Sequence, residues 1–417
     1  MSIRKFIRTV VASTLSCAML ASMTGCGVNI SAADLTADVE REAVTGNEPD
    51  DTFIDSQMEF YVELFKNTVA YSEKENVLVS PLSVMLALSM TANGTDGDTR
   101  DEMENVLAGG MDIEKLNQYM YTYANSVTPD GSDELKIANS IWIRDGLSVK
   151  KEFLQTSVNY FKASVFQTEF NDKALDDINN WVKVNTDGMI DKIIEQHGED
   201  AVMYLINAVA FNSEWEEKYE STDIYDGYFT SYDKERKQVE MMSSSEYIYL
   251  EDENTTGFVK DYKDGNYSFV ALLPDKSVDI FKYIEEFSAD KYEKLMNNAT
   301  ECTVLADMPK FSYEYETSMV DILKKMSMEK CFDEKYAEFS NLSESSGYDL
   351  YIGEVIHKAF IEVDANGTKA GAATSVEIEK ESAPISENQV RLNRPFVYMI
   401  IDNATKLPIF IGVAMDI

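Results

Sequence analysis

The chain of 417 residues has few of the residues on which most metal sites, disulfide scaffolds and hydrolytic active sites depend. Histidine occurs only at His197 and His357, and no HExxH, GxSxG or CxxC segment is present. These absences leave no recognisable pattern for a zinc enzyme, a nucleophile-elbow hydrolase or a redox dithiol. His357 lies in an apolar segment, which favours a hydrogen-bonded core histidine over a catalytic one. We therefore expect no enzyme activity, no metal and no cofactor.

Positive charge is also scarce, since 37 basic residues stand against 74 acidic ones, for a net charge of −37. The first 25 residues hold three of the basic residues and no acidic ones, so the charge without them is −37 − 3 = −40. The acidic residues are scattered and form no single block, which is typical of a solvated surface. Nucleic acid and anionic lipid are therefore poor partners for this surface.

The N-terminus has the organisation of an export signal over residues 1–25. A basic start precedes a short apolar run over residues 10–20, which is too short to span a bilayer as a mature helix. The sequence Met-Thr-Gly-Cys ending at Cys26 resembles a bacterial lipobox. That resemblance implies cleavage before Cys26 and a diacylglycerol group on its thiol; ordinary signal cleavage with an unmodified Cys26 is the alternative. We expect the protein on the extracellular face of a bacterial cell membrane, lipid-anchored, or else secreted.

Residues 26–55 are polar and acidic and have no convincing periodicity. They predict a flexible tether between the membrane and a domain that covers residues 56–417. Two cysteines lie in that domain, Cys302 and Cys331, and they form either a single bridge or two free buried thiols.

The domain mixes helical and strand patterns without an internal repeat, which predicts one large α+β domain. Residue Ser80 followed by Pro81 predicts a helix start, with the serine side chain as cap. Residues 201–211 are apolar except for Asn207, which is typical of a central strand buried on both faces. Further segments predict a strand at 135–144, a helix at 178–196, a strand at 304–315 and a hairpin at 396–414.

A weak strand pattern begins at Gly367 and continues to Lys380. With a period of two, one face carries small residues and then larger apolar ones, and the other face ends in charge. The first half has poor strand propensity and little to bury when it stands alone. It predicts a segment that becomes a strand when a slot receives it and is otherwise a loop. The inward face is Thr368, Ala370, Ala372, Thr374, Val376 and Ile378, and the outward face begins with Lys369, Gly371 and Ala373.

The order of motifs along the chain resembles the serpin family. The likeness covers residues 56–417 and is carried by segments in the family's order: 76–83 (NVLVSPLS), 135–142 (LKIANSIW), 178–182 (INNWV), 207–215 (NAVAFNSEW), 357–359 (HKA), 394–396 (RPF) and 410–412 (FIG). The resemblance implies three β-sheets, about nine helices and an exposed reactive loop at about 367–390. It departs from the family at Lys369, where glutamate is usual, and at residues 212–214.

The resemblance also implies an activity, a partner and residue roles. The loop would be bait for a target serine protease, and after acylation it would insert into the main sheet and trap the protease covalently. We expect a monomer. The hinge of the loop would be Gly367, Thr368, Lys369, Ala370, Gly371, Ala372, Ala373 and Thr374. Residues Ser80, Ser83, Asn207 and His357 match the family's polar cluster beneath the sheet opening, and Trp215 matches the upper entry point.

The bond that a protease would cut is expected after one of the residues from Lys380 to Ile385. Counting from the two ends of the loop gives two different positions. Counting forward from Gly367 gives the bond between Glu381 and Ser382, while counting back from Pro395 gives a position about three residues later. A cut after Lys380 suits a trypsin-like protease, one after Glu381 a glutamate-preferring one, and one after Ile385 an elastase-like or subtilisin-like one. The sequence favours the bond after Glu381.

Three functions fit the sequence to different degrees. The leading hypothesis is a suicide inhibitor of serine proteases, because the hinge is small and has no charge on its inward face. The alternative is a non-inhibitory serpin that serves as a surface binding protein. A third possibility, a surface lipoprotein for a small ligand, accounts for the export signal but leaves the hinge pattern unexplained.

Overall fold

A computed structural model describes residues 30–128, 134–196, 202–343, 350–368 and 388–417. The predicted signal, Cys26, His197, hinge residues 369–374 and the candidate cut sites at 380–385 lie outside these residues. The described ranges contain nine α-helices and two short 3-10 helices. The α-helices are α1 (Asp51–Tyr71), α2 (Pro81–Ala92), α3 (Gly97–Ala108), α4 (Ile113–Val127), α5 (Lys151–Phe161), α6 (Asp172–Asn185), α7 (Ile280–Glu285), α8 (Ala289–Asn297) and α9 (Val320–Lys325).

The described residues also contain seventeen strands. They are β1 (Ala33–Asp34), β2 (Val77–Val79), β3 (Leu135–Arg144), β4 (Ser164–Thr168), β5 (Met203–Phe211), β6 (Ser213–Glu214), β7 (Ile224–Thr230), β8 (Arg236–Glu251), β9 (Thr255–Asp261), β10 (Tyr267–Pro274), β11 (Thr300–Pro309), β12 (Phe311–Ser318), β13 (Glu354–Val363), β14 (Gly367–Thr368), β15 (Asn388–Arg391), β16 (Phe396–Asp402) and β17 (Pro408–Ala414).

One sheet has the order β1-β4-β3-β5-β13-β14-β6, with β12 paired to the other edge of β13. Its centre is β5, whose nine residues are all buried, as their continuous apolar character predicts. Strand β5 is antiparallel to β3 and parallel to β13. This sheet is the predicted main sheet.

The other two predicted sheets are joined through β8. The start of this 16-residue strand pairs with β7, its middle with β11, and its end with β9. From β9 the order continues β10-β16-β17-β2, and from β11 it continues to β15. The predicted hairpin at 396–414 is the antiparallel pair β16 and β17, in which every residue is buried.

Helix α2 is central, because all twelve of its residues are buried and it packs against β5 and β17. Pro81 occupies its first turn, as predicted, where the missing N–H costs no hydrogen bond. The prediction for Ser80 is wrong in part. Ser80 occupies the N-cap position, but its side chain makes no cap hydrogen bond.

The predicted flexible tether is wrong for residues 30–55. Helix α1 already begins at Asp51, and β1 pairs with β4 at the edge of the main sheet. The carboxylate of Asp177, on α6, accepts hydrogen bonds from the backbone N–H groups of Ser31 and Ala32, each at 3.0 Å. Periodicity fails to reveal this segment because these bonds are made by main-chain groups, which any polar sequence supplies.

Two further expectations change with the structure, and one alternative left open by the sequence is decided. Helix α6 ends at Asn185 instead of 196, because Asp187 and Gly188 adopt positive φ angles of 52° and 79°. The single strand predicted at 304–315 is two strands, β11 and β12, separated at Lys310. Cys302 and Cys331 are both free thiols. No helix in the described part of the chain is long and apolar enough to cross a membrane.

Candidate functional site

The main sheet contains a gap between β5 and β13. These parallel strands pair over five residues only, from Glu354 opposite Tyr204 to Lys358 opposite Ala208. Both strands continue beyond that point: β5 stays paired with β3 as far as Phe211, and β13 with β12 as far as Val363. Between the last paired residues, Ala208 and Lys358, and the short strand at Val363, no described strand lies between β5 and β13, which is an opening for a further strand.

The upper end of this gap is spanned by β14. Thr368 pairs with Val363 of β13 on one side and with Ser213 of β6 on the other. The hydroxyl of Thr368 lies 2.6 Å from that of Tyr262, and both side chains are buried. Thr368 thus faces the core, as the alternation in the sequence predicts for this position.

A tight turn connects β13 to β14. The Oδ1 atom of Asp364 accepts hydrogen bonds from the N–H groups of Asn366 and Gly367, at 2.7 and 3.1 Å. A Cβ atom added at Gly367 would lie 2.1 Å from the carbonyl oxygen of Ser213. Only glycine allows β14 to approach β6 so closely. The first predicted hinge residue is thus a glycine because of main-chain contact.

Trp215 holds this turn through two hydrogen bonds. Its indole Nε1 donates to the carbonyl oxygen of Asp364 at 2.9 Å, and its backbone N–H donates to that of Asn366 at 2.8 Å. The indole stacks on Tyr262, with ring centres 4.5 Å apart and planes 14° from parallel. The structure therefore places Trp215 at the upper end of the gap.

A buried ion pair lies against the ring of Trp215. The sequence did not predict it. The Lys260 ammonium lies 2.9 Å from a carboxylate oxygen of Glu246, and both side chains are at most 9% exposed. The ammonium also lies 4.7 Å from the ring centre of Tyr219 and 5.5 Å from that of Trp215. Ser244 donates a second hydrogen bond to Glu246, at 2.6 Å. The sequence signal was weak: a lysine within an otherwise apolar strand segment, 257–260.

The lower end of the gap holds the other predicted polar residues. Asn207 and His357 are register partners across β5 and β13, and both are buried. The Nε2 atom of His357 accepts the backbone N–H of Ser80 at 3.3 Å, which joins the sheet to the start of α2. Asn207 donates through its amide to Asn139 on β3. Ser83 lies one turn further along α2 and is fully buried.

The chemistry of this cluster is that of a closed polar core. Burial lowers the pKa of His357 from 6.5 to about 4, so the ring is neutral at physiological pH. The hydroxyls of Ser80 and Ser83 and the Oδ1 of Asn207 have no hydrogen-bond partner among the described residues. No group of three or more His, Cys, Asp or Glu side chains within the described ranges is placed to hold a metal ion.

Comparison with known proteins agrees with this geometry. The family model of the serpins, described as serine protease inhibitors, matches residues 55–417. A serpin-like protein of Methanosarcina acetivorans is 30% identical over 357 residues, which cover 82% of this chain and 81% of that protein. Human neuroserpin is 29% identical over 371 residues, which cover 85% of this chain and 89% of neuroserpin.

Solved structures show the same fold. Tengpin, a thermophilic serpin, superimposes in its native state with a TM-score of 0.89 at 45% identity, covering 93% of this chain and all of tengpin. The latent state of tengpin gives a TM-score of 0.79. Thyroxine-binding globulin in complex with thyroxine gives 0.78 at 23% identity, covering 88% and 98% of the two chains, which shows a common fold. The chain belongs to the serpin family.

Proposed function

We propose that the protein is a suicide inhibitor of a serine-type endopeptidase. A protease cuts the loop that follows Thr368, and the cut strand inserts between β5 and β13 while the protease is still attached as an acyl-enzyme. The observation that carries this proposal is the gap itself: β5 and β13 pair over five residues, and β14 already lies at its upper end. The described residues also resemble native tengpin, with a TM-score of 0.89, more than latent tengpin, with a TM-score of 0.79.

Insertion has enough driving force for this mechanism. A strand between β5 and β13 forms roughly ten or more main-chain hydrogen bonds, at about 1 kcal/mol net each, and buries its inward apolar side chains. That total is enough to offset the distortion of a protease active site. Insertion must also be faster than deacylation, because a deacylated protease is no longer attached to the loop. The hinge residues after Thr368 are small and carry no charge on the inward face, which keeps the barrier to insertion low.

The roles at the two ends of the gap follow from their contacts. Trp215 and Tyr262 hold the turn from which the loop departs, so they fix the direction from which a strand enters. Asn207 and His357 keep the lower part of the sheet closed, because an entering strand separates them. We propose the bond after Glu381 as the main cut site, with those after Lys380 and Ile385 as alternatives.

Thermal unfolding before and after a single cut in the loop tests insertion. An insertion-competent loop becomes a strand of the main sheet, so the nicked protein should unfold at a much higher temperature than the intact one. Mass spectrometry of the released C-terminal fragment identifies the bond. An unchanged unfolding temperature after a cut within residues 380–386 would instead favour a non-inhibitory surface binding protein.

We also propose that the protein is exported, acts as a monomer and is anchored by lipid at Cys26. Ile30 is the fourth residue after Cys26, and its side chain packs against the buried cluster that contains Trp142 and Phe166. Four residues span at most about 14 Å. An anchored domain would therefore lie close to the membrane, instead of at the end of a 30-residue tether. Metabolic labelling with a fatty acid should label the wild type and not Cys26→Ser; equal labelling would contradict the anchor.

A further inference from the structure

A cavity of about 420 Å³ lies between β7, the start of α7 and the segment that connects β15 to β16. We propose that this cavity binds a small organic anion with two or more phosphate or sulfate groups. The proposed inhibitory function does not involve it, since its walls contain none of the residues at the gap in the main sheet.

The charge of the cavity is the reverse of the charge of the chain. Over the whole chain acidic residues outnumber basic ones two to one, 74 against 37. Within the cavity walls basic residues outnumber acidic ones two to one, which gives the walls a net formal charge of +2. The basic residues are Lys234, Arg236, Lys276 and Arg394, and the acidic ones are Asp275 and Asp279. Such a local reversal attracts anions that the remaining surface repels.

The positive charge of the cavity is only partly offset by its two aspartates. Among the described residues none of the four forms an ion pair, whereas Lys237, next to Arg236, pairs with Asp416. The carboxylate of Asp279 is already used by the protein. It accepts the N–H of Phe281 at 2.9 Å and the hydroxyl of Tyr232 at 3.3 Å. The cavity thus keeps positive charge available for a ligand.

Arg394 is the anchor of the cavity. Its Nη2 donates to the carbonyl oxygen of Pro274 at 2.8 Å, which fixes the guanidinium and uses one of its five donors. The side chain is half-buried, and burial lowers the pKa of Arg394, an effect that the charge of Asp275 opposes. A half-buried guanidinium without an ion-pair partner gains most from an anion that supplies the missing charge.

Two tyrosines orient two of the other three cations, Arg236 and Lys234. The guanidinium of Arg236 lies 3.8 Å from the ring centre of Tyr228, and the ammonium of Lys234 lies 6.0 Å from that of Tyr232. Lys234 also has a positive φ of 69°, within a turn closed by hydrogen bonds between Ser231 and Glu235. These contacts restrict cations that would otherwise move freely, and so they reduce the entropy lost when a ligand binds.

Size and chemistry together define the class of ligand. A volume of 420 Å³ lies within the range of about 300 to 1,000 Å³ that small-molecule sites occupy. Guanidinium groups bind phosphate and sulfate through two parallel hydrogen bonds, which a fixed Arg394 and a stacked Arg236 are suited to form. A ligand with one carboxylate would leave most of the four cations unused.

Isothermal titration calorimetry on the full-length protein tests this site with four probes: inorganic pyrophosphate, ATP, sucrose octasulfate and uncharged sucrose. We expect at least one charged probe to bind with a dissociation constant below about 1 mM at physiological ionic strength, and sucrose not to bind. Arg236→Gln and Lys276→Gln should each weaken binding roughly tenfold, because each removes one charge-assisted contact. Both residues are exposed, so neither change should prevent folding.

Lys237→Gln is the matched control, since it removes the same charge from the neighbouring residue, which pairs with Asp416 outside the cavity. It should leave the dissociation constant within about twofold. Binding of the phosphates alone would identify a phosphorylated ligand, and binding of the octasulfate alone a sulfated one; both support the site. The proposal fails if no charged probe binds, if sucrose binds equally well, or if Lys237→Gln weakens binding as much as Arg236→Gln.

Discussion

Asn207 and His357 face each other across β5 and β13, one residue pair before the two strands separate. A strand that enters the gap from the upper end and reaches this level must part them. His357 is also bonded to the backbone of Ser80, so parting the pair disturbs the start of α2 as well. The two residues therefore lie in the closed part of the sheet, one residue pair below the gap.

The free energy of unfolding of the intact protein should decrease as the pH is lowered, because of His357. Its pKa is about 4 in the folded state and 6.5 in an unfolded chain. Between these values the unfolded state binds a proton that the folded state does not, so acid favours unfolding. The contribution of the neutral His357 ring to the free energy of unfolding is fully present above pH 6.5. At pH 5 that free energy is lower by about 2 kcal/mol.

Urea unfolding of the wild type and of His357→Gln, between pH 7.5 and pH 5, measures this contribution. Other groups titrate in this range in both proteins, so the difference between the two pH profiles isolates the histidine. On going from pH 7.5 to pH 5, the free energy of unfolding of the wild type should fall by about 2 kcal/mol more than that of His357→Gln. Parallel profiles would show that His357 titrates normally.

The pair of Lys260 and Glu246 should show strong coupling. Lys260→Met leaves the carboxylate of Glu246 buried without its cation, which should lower the free energy of unfolding by about 3 to 5 kcal/mol. The double variant with Glu246→Leu removes both charges and should recover most of that loss. Urea unfolding of the two single variants and the double variant forms a complete cycle. Additive losses would mean that the two charges do not stabilise each other.

Asp177 should hold the N-terminal segment against the main sheet. Asp177→Ala removes the acceptor for the N–H groups of Ser31 and Ala32, so hydrogen exchange should accelerate in residues 31–34 and stability should fall by about 1 to 3 kcal/mol. The neighbouring Asp176 is exposed and offers the matched control. Asp176→Ala should change neither quantity measurably. Equal protection of residues 31–34 in both variants would contradict the docking.

The alternation that places Thr368 inward should also govern the hinge beyond it. Ala372 then faces the core after insertion, and Ala373 faces solvent. Ala372→Arg should turn the protein from an inhibitor into a substrate. The cost of burying the arginine charge slows insertion, so the protease deacylates and leaves before it is trapped. Ala373→Arg should cost much less. The measurement is the number of inhibitor molecules consumed per protease molecule inhibited; equal values for the two variants would refute the register.

Local sequence patterns predicted the elements whose position depends on the apolar or polar character of their own residues. Strand β3 has the predicted bounds. Strand β5 differs by two residues at one end, and its continuous apolar character predicts the burial on both faces that the structure shows. The end of α6 was missed because it depends on the backbone at Asp187 and Gly188, whose φ angles no periodicity reports.

The residues around the gap show a second limit. His357, Asn207 and Trp215 were found through the resemblance to serpins, which supplies partners that are distant in sequence. Lys260 and Tyr262 are absent from the predicted motifs, yet they support Trp215 and Thr368 directly. Contacts across more than a hundred residues, such as that of Tyr262 with Thr368, leave no local signal in a single sequence.

The most direct test of inhibition is denaturing gel electrophoresis of the protein after mixing with active serine proteases. The panel should contain a trypsin-like, a glutamate-specific, an elastase-like and a subtilisin-like enzyme, each beside a form that lacks its nucleophilic serine. We expect at least one active enzyme to form a complex that survives denaturation, and its inactive form to give none. Cleavage of the loop by every enzyme, with no covalent complex in any mixture, would contradict the proposed function.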